Sequence, residues 1–465
     1  MKKCVIFIII FCLTVCGMLS LTASAEYYNN NLEDQDMRSE AYLLVNTDTD
    51  TVVFSQNADE RLYCASLVKI ATAAVTVDNC DDLDELVTVT ESALSPLDGL
   101  YSASCDLQVG EQMSVRNLLY CMFLESANDA ANVLAEYIGG SIDAFVQMMN
   151  EFAAGLGCEN TNFTNAHGLD EDGEYSSAND MYLIMKYAMS NSVLSVIAST
   201  VDYTVPATNM SEERELNTTG DIIESGSRYY YEYAKCVKTG MTDGSQRCAA
   251  VTAVKDAYTY IGIIIGCPNE CIDGCGYADN TALYEVRRMF RWAFSNMKMT
   301  TIAEQTDFMT EIAVTLSTQA DHVRLVPETR IQALLLSSVD SDSLEFVYTV
   351  EESVMAPVNK GDILGTVQVK YADVVIAEAN LVAGESVERS SLLYAGYLIK
   401  TVFTSPIFLV ILCLVLIGTV IYIVVVYSRY KKKQAQTRRR LREIKESKSE
   451  EALTALSDKD KDSTL

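Results

Sequence analysis

Ser66, Leu67, Val68 and Lys69 set a hydroxyl and an amine three residues apart, which on a helix is one turn along the same face. An amine so placed reaches the hydroxyl, and with a depressed pKa it accepts the hydroxyl proton and makes a nucleophile without histidine. The pair alone is common. The residues after Lys69, Ile70 to Val75, are apolar and alanine-rich, so the helix is buried and desolvation lowers the lysine pKa. Two further sets follow. Ser126-Ala127-Asn128 offers a second hydroxyl to relay a proton towards a leaving amine, and an amide to hold both Lys69 and a substrate carbonyl. Lys238-Thr239-Gly240 joins a cation and a hydroxyl suited to a substrate carboxylate to a glycine that admits a peptide backbone. The three sets stand in this order about 60 and then about 110 residues apart, and jointly they describe serine acyl transfer.

Other chemistries are poorly supplied. Only two histidines occur, His167 and His322, and there is no Gly-x-Ser-x-Gly elbow, so a Ser-His-Asp hydrolase lacks its parts. His167, in His-Gly-Leu-Asp, reads as a structural turn residue. Cys267, Cys271 and Cys275 are spaced C-x3-C-x3-C without a fourth ligand or a nearby histidine. Neither a metal nor a cofactor is expected.

The elements that must hold these groups can be read from pattern. AYLLVNTDTDTVVFSQ from Ala41 predicts a β-hairpin around Asn46 to Asp50. Ser66 to Val77 predicts a buried helix, and Val115 to Ile138 reads as helical throughout, carrying Ser126 and Asn128. Asp180 to Ala188 and Glu285 to Met297 predict amphipathic helices, while Ala249 to Val254 and Tyr258 to Cys267 predict strands about a Lys255-Asp256 turn. Lys238 to Gly240 precede the first of these and belong on or near a strand. From Glu311 short β-branched runs take over (EIAVTL, IQALLL, LEFVYTV, ILGTVQVKY, VVIAEANLV), which predicts a separate small all-β domain over 306–384 after an α+β domain over 36–300.

Both ends of the chain are apolar. Lys2 and Lys3, the run from Val5 to Leu21 and Ala23-Ser24-Ala25 predict a signal peptide over 1–25. A connector (385–401) leads to Ile407–Val426, about 20 residues without a charge, enough to cross roughly 30 Å of hydrocarbon; the span is set at 402–427. Eight Arg and Lys residues between Arg429 and Arg442 follow, which predicts a single-pass protein with a cytoplasmic tail (428–465) and its body outside the cell. Beyond Glu443 the tail is polar and is expected to be disordered. Formal net charge is −29; setting aside two lysines before residue 25 and 12 basic and 7 acidic residues after 427 leaves 21 basic against 57 acidic, about −36. Nucleic acid is excluded as a partner by that repulsion. Of 14 cysteines, ten lie between signal and span, an even number that permits disulfides without assigning any.

ASLVKIATA around Ser66, LLYCMFLESANDAANVLAE around Ser126, NAHGLD from Asn165 and VKTGMTDGSQRCAAVTA from Val237 resemble the low-molecular-mass D-alanyl-D-alanine carboxypeptidases, penicillin-binding proteins of the serine β-lactamase-like superfamily. The resemblance covers about Ala41 to Phe294, and APVNKGDILGTVQV from Ala356 looks like the small β-domain that follows in that family. It implies helices around an antiparallel sheet, Ser66 acylated by the penultimate D-alanine of peptidoglycan stem peptides, Lys69 as base, and Ser126 in proton transfer. Asn128, Lys238, Thr239, Gly240, Met241 and Thr242 would bind substrate, with the N–H groups of Ser66 and Met241 as oxyanion hole. β-Lactam antibiotics would be covalent inhibitors. Departures are Ala166 where the family has proline, Ala127 where glycine is frequent, a full span in place of an amphipathic end helix, and the loop holding Cys267, Cys271 and Cys275. A β-lactamase shares the motifs, but no clear Glu-x-x-Leu-Asn deacylating element is present; a non-catalytic wall-binding scaffold is the remaining alternative.

Overall fold

A computed structural model describes residues 37–256, 258–270 and 280–461, the last ten by backbone alone. The expected signal peptide, Cys271 and Cys275 lie outside these residues. The chain divides into two compact units: the first runs through Asp307 and takes in Pro327–Thr349 and Gly365–Leu381, and the second holds Phe308–Val326, Val350–Leu364 and the chain from Val382.

The hairpin forms as expected, β1 (Ala41–Asn46) and β2 (Thr51–Gln56), closed by Asn46 Oδ1 accepting from the N–H and hydroxyl of Thr49. With β3 (Ala234–Thr242), β4 (Gln246–Lys255) and β5 (Tyr258–Cys267) it makes an antiparallel sheet of order β2-β1-β5-β4-β3. β1 is buried on both faces, and its alternation sorts the core. Ala41, Leu43 and Val45 join Ile261, Ile263 and Ile265 of β5 in one apolar cluster; Tyr42 and Leu44 join Tyr260 and Ile264 in another.

The first cluster is roofed by α1 (Val68–Asp78), α2 (Val115–Leu124), α3 (Asn128–Gly139), α4 (Ile142–Gly155), α5 (Ala178–Ser190) and α6 (Ser192–Ala198). The second is covered by α7 (Thr281–Asn296), whose Ala282, Leu283, Val286, Met289, Phe290 and Ala293 form the apolar stripe of an amphipathic helix. Full burial of Phe290 alone is worth about 1.5–3 kcal/mol.

One expectation fails at the point that matters most. Val115 to Ile138 is two helices, because the chain breaks at Glu125–Ala127 and Ser126 takes φ +58°, the left-handed region in which a helix cannot continue. The second part of the chain is rich in strands: β6 (Met297–Ala303), β7 (Thr310–Thr315), β8 (His322–Pro327), β9 (Ile331–Leu336), β10 (Glu345–Val350), β11 (Ser353–Met355), β12 (Ile363–Tyr371) and β13 (Val374–Ala383). β6 pairs with β9, so pairing of this kind starts before residue 306; β7 pairs antiparallel with β8 and parallel with β11.

The connector is helical over α8 (Ser391–Thr404). α9 (Pro406–Lys461) carries the apolar run, the one described helix long and apolar enough by itself to cross a membrane. It continues as helix past Glu443, where disorder is expected. The tail has no Gly or Pro after Gly418, is made largely of strong helix formers, and sets Arg439 and Arg442 four residues before Glu443 and Glu446. Cys64, Cys80, Cys105, Cys121, Cys158, Cys236, Cys248 and Cys267 are free thiols, so no disulfide joins the described cysteines.

Candidate active site

Ser66 sits in a single 3-10 turn, Ala65–Leu67, that runs into α1. Ala65 enters at φ +47°, and the Leu67 N–H donates to Cys64 O. Lys69 follows one turn later in a helix buried from Val68 to Thr76, and its side chain is fully buried. Its Nζ lies 2.9 Å from Ser66 Oγ, 2.6 Å from Asn128 Oδ1 and 2.6 Å from the His167 carbonyl. Burial first, and then the charge of Lys238, hold this amine well below the ordinary lysine range; Asp129 pulls the other way.

The break after α2 lifts Ser126 out of the helical path and starts α3 at Asn128. Ser126 Oγ accepts from Lys238 Nζ at 2.9 Å, and the same amine donates to Thr239 O at 3.0 Å. Lys238 is also buried, and burial pushes its pKa down to about 7. Two buried lysines, each touching one serine hydroxyl, thus form the centre.

β3 is an edge strand of the sheet. At Gly240 a Cβ would stand 2.7 Å from Ser66 N and 2.8 Å from Ala65 Cβ, so only glycine allows the strand this close to the turn that holds the serine. The Thr239 hydroxyl donates to Thr219 Oγ1 at 2.9 Å. Met241, the next residue, is 53% exposed. The Thr242 hydroxyl donates to Asp170 Oδ1 at 2.6 Å and bonds Ser245 at 2.7 Å, so it braces the end of the hairpin. Direct contacts therefore join Ser66 and Asn128 to Lys69, and Ser126 to Lys238; the charge of Lys238 is felt at Lys69, Thr239 and Gly240 adjoin the two sets, and Thr242 is engaged elsewhere.

His167 is the turn residue its sequence setting suggested, with a further task for its carbonyl. The ring is buried and held neutral, its pKa pushed down to about 3 by burial and then by Lys69, and Nδ1 accepts the Leu169 N–H. Asn165 Oδ1 closes the turn by accepting from the His167 and Gly168 N–H groups. Gly168 has φ +81°, and a Cβ there would lie 1.9 Å from Ala65 O.

Sequence reasoning missed Asp129 and Thr219. The buried Asp129 carboxylate accepts from Ser104 Oγ (2.6 Å), from the N–H groups of Cys105 and Leu107 (3.1 Å each) and from Ala130 N (2.8 Å). It ties the 103–107 loop to the start of α3, and Asn128 N donates to Ala103 O in that loop. Its position beside Asn128 was the one available signal. No group of three or more metal-ligating side chains occurs among the described residues.

The turn that holds Ser66 packs on an edge strand, and two buried lysines each touch a serine, the arrangement of the penicillin-binding class of active-serine proteins. The chain belongs to the D-alanyl-D-alanine carboxypeptidase family, whose model matches residues 28–269, just over half its length. A second model, penicillin-binding protein 5 C-terminal domain, matches residues 298–389. The chain is 28% identical over 353 residues to D-alanyl-D-alanine carboxypeptidase DacF of Bacillus subtilis, covering 75% of this chain and 85% of the relative. It is 27% identical over 368 residues to DacA of Escherichia coli, 76% and 84% of the two. Among solved structures, penicillin binding protein 5 from Haemophilus influenzae shares the fold with a TM-score of 0.60 at 24% identity, over 76% of this chain and 99% of that one. A mutant of the Streptomyces K15 DD-transpeptidase matches at TM-score 0.51 and 25% identity over 56% and 99%. Serine-type carboxypeptidase activity follows from family membership.

Proposed function

We propose that Ser66 is the nucleophile with which this enzyme removes the terminal D-alanine from peptidoglycan pentapeptide stems, and that Lys69 is its base. One observation carries the reading. Lys69 Nζ has three close partners, and two of them, Asn128 Oδ1 and His167 O, can only accept. A neutral amine has two hydrogens and one lone pair. The two carbonyl oxygens take the hydrogens, which leaves the lone pair facing the Ser66 hydroxyl. Burial favours that neutral form.

Ser66 Oγ then attacks the carbonyl of the penultimate D-alanine as its proton passes to Lys69. The oxyanion is met by the Ser66 N–H and by that of Met241 on the edge strand, where Gly240 brings the two segments together. Collapse breaks the peptide bond; the departing amine takes a proton from Ser126, whose hydroxyl is backed by Lys238, and Ser126 recovers a proton from Lys69, which returns to its neutral form. Lys238 and Thr239 hold the terminal carboxylate. Water enters and attacks the acyl carbon as Lys69, neutral again, takes one of its protons; Lys69 returns that proton to Ser66 Oγ as the ester bond breaks and the shortened stem leaves. A β-lactam takes the same path as far as the acyl-enzyme. The apolar part of α9 anchors the enzyme, with the basic residues after it in the cytoplasm and the serine outside.

The test is a fluorescent penicillin with peptide mapping of the label, run beside D-alanine release from a pentapeptide. Labelling at Ser66 and D-alanine release, both lost in Ser66→Ala, are expected. Labelling without D-alanine release sinks the carboxypeptidase reading for a binding scaffold; quick loss of label with drug hydrolysis sinks it for a β-lactamase.

A further inference from the structure

Residues 228–233 read Arg-Tyr-Tyr-Tyr-Glu-Tyr, and the serine chemistry uses none of them. They lie against α7, and a groove of about 460 Å³ opens there, lined chiefly by Tyr230, Tyr231, Tyr233, Lys255, Arg291 and Phe294, with Glu232 as its carboxylate. Aromatic side chains make up much of its wall. Tyr231 meets Tyr233 edge-on at 5.4 Å, Tyr233 meets Phe294 at 5.8 Å, and Tyr230 is 40% exposed.

Cations converge on the same place. Lys255 Nζ stands 4.9 Å over the Tyr233 ring. Arg287 and Arg291 are four residues apart on α7, a repulsive spacing for like charges. Arg287 donates to the Arg228 carbonyl, yet its Nε is buried with no partner, and its guanidinium is held below its ordinary range by burial and then by Arg291, with Arg228 adding to it. This concentration of positive charge stands in a chain of net charge −29.

We propose that this groove binds a carboxylate-bearing carbohydrate chain, with a sugar ring against the exposed Tyr230 and acid groups on Lys255 and Arg291. A guanidinium suits a carboxylate through paired N–H donors, and an aromatic face suits the apolar face of a sugar ring. Charge selects a thin chain over a lipid surface. An anionic bilayer presents its charge to the acidic body as a whole, whereas a strand lying in a groove meets the local cations and is screened from the rest within about 10 Å.

The experiment uses the full chain in neutral detergent micelles and a fluorescent hexagalacturonate, with maltohexaose as the neutral counterpart. Saturable binding of hexagalacturonate is expected, weakened by salt, and reduced at least about tenfold in Lys255→Gln/Arg291→Gln. Tyr230→Ala is expected to weaken it too, while the melting temperatures of both variants stay near wild type. Equal binding of maltohexaose, wild-type affinity in the double variant, or no binding overturns the proposal. So does displacement of the sugar by a small fraction of phosphatidylglycerol in the micelles, which would assign the cations to lipid.

Discussion

The pH dependence of turnover tests the assignment of Lys238 to the substrate carboxylate. Burial holds its ammonium at about 7, far below the 10.5 of a free lysine, and its two hydrogen-bond partners, Ser126 Oγ and Thr239 O, are neutral oxygens. A cation that recruits a carboxylate works only while protonated. In the free enzyme half of Lys238 is protonated near pH 7, so kcat/KM for a peptide ending in a free carboxylate falls about fivefold from pH 7 to 8 and about tenfold from 8 to 9. The effect falls mainly on KM, because the bound carboxylate raises the lysine pKa in the complex. Lys69 acts with the opposite sign: its neutral form grows as pH rises, so it sets the acid limb of the profile.

The assay is D-alanine release between pH 6 and 9 on paired peptides ending in a free carboxylate and in an amide. The basic limb is expected with the acid and absent with the amide. Lys238→Arg keeps its charge throughout this range and moves the limb out of it, at a lower overall rate because the longer side chain displaces the contact with Ser126. A kcat/KM that stays level or rises from pH 7 to 9 with the free carboxylate refutes the reasoning, as does an equal fall with the amide.

Gly168→Ala forces a side chain into left-handed backbone and onto Ala65 O, so a loss of about 3 kcal/mol or more in urea unfolding is expected, together with failure of penicillin labelling. Asp129→Ala strands the Cys105 and Leu107 N–H groups and frees the 103–107 loop; a cost of about 3 kcal/mol and slower labelling of Ser66 are expected, and unchanged values of both would remove Asp129 from the site. Glu174 is raised to about 7, chiefly by burial, so the folded state binds its proton more tightly than the unfolded chain does. Its contribution is complete below the usual carboxylate value of 4.5 and is lost as pH climbs through 7, a fall of about 2–3 kcal/mol that Glu174→Gln should flatten, read from urea melts at pH 5 and 8.

Much of this was legible in the chain. The hairpin from Ala41, the helix of Lys69, the strands around Lys255 and the run after Ile407 each carry a local periodic or compositional signal, and each appears where the pattern put it. The helix break at Ser126 carried none: MFLESANDAANVLAE is helix-compatible residue by residue, and only packing that brings Asn128 to Lys69 and Ser126 to Lys238 favours a left-handed serine there. The tail misled for the opposite reason, since its polarity resembles disorder while its residues are strong helix formers.

The three motifs name the groups proposed to react but not what would make a lysine a base. That property rests on acceptors 59 and 98 residues away from Lys69, one a side-chain amide and one a main-chain carbonyl. A motif records side-chain types, so it can contain Asn128, but it cannot contain the carbonyl of His167, which any residue at that position supplies. What places the carbonyl is the turn: Asn165 gathers two N–H groups and Gly168 comes so close to Ala65 that no side chain fits. The Asn-x-His-Gly segment, which supplies none of the groups proposed to react, therefore belongs to the proposed base as much as Asn128 does. Replacing Ala166 by the proline usual in the family should leave this contact intact, because Ala166 contributes its carbonyl to Thr72 and proline keeps a carbonyl. Wild-type labelling rates in Ala166→Pro are the expected result, and a large loss would mean that the turn depends on an N–H at residue 166.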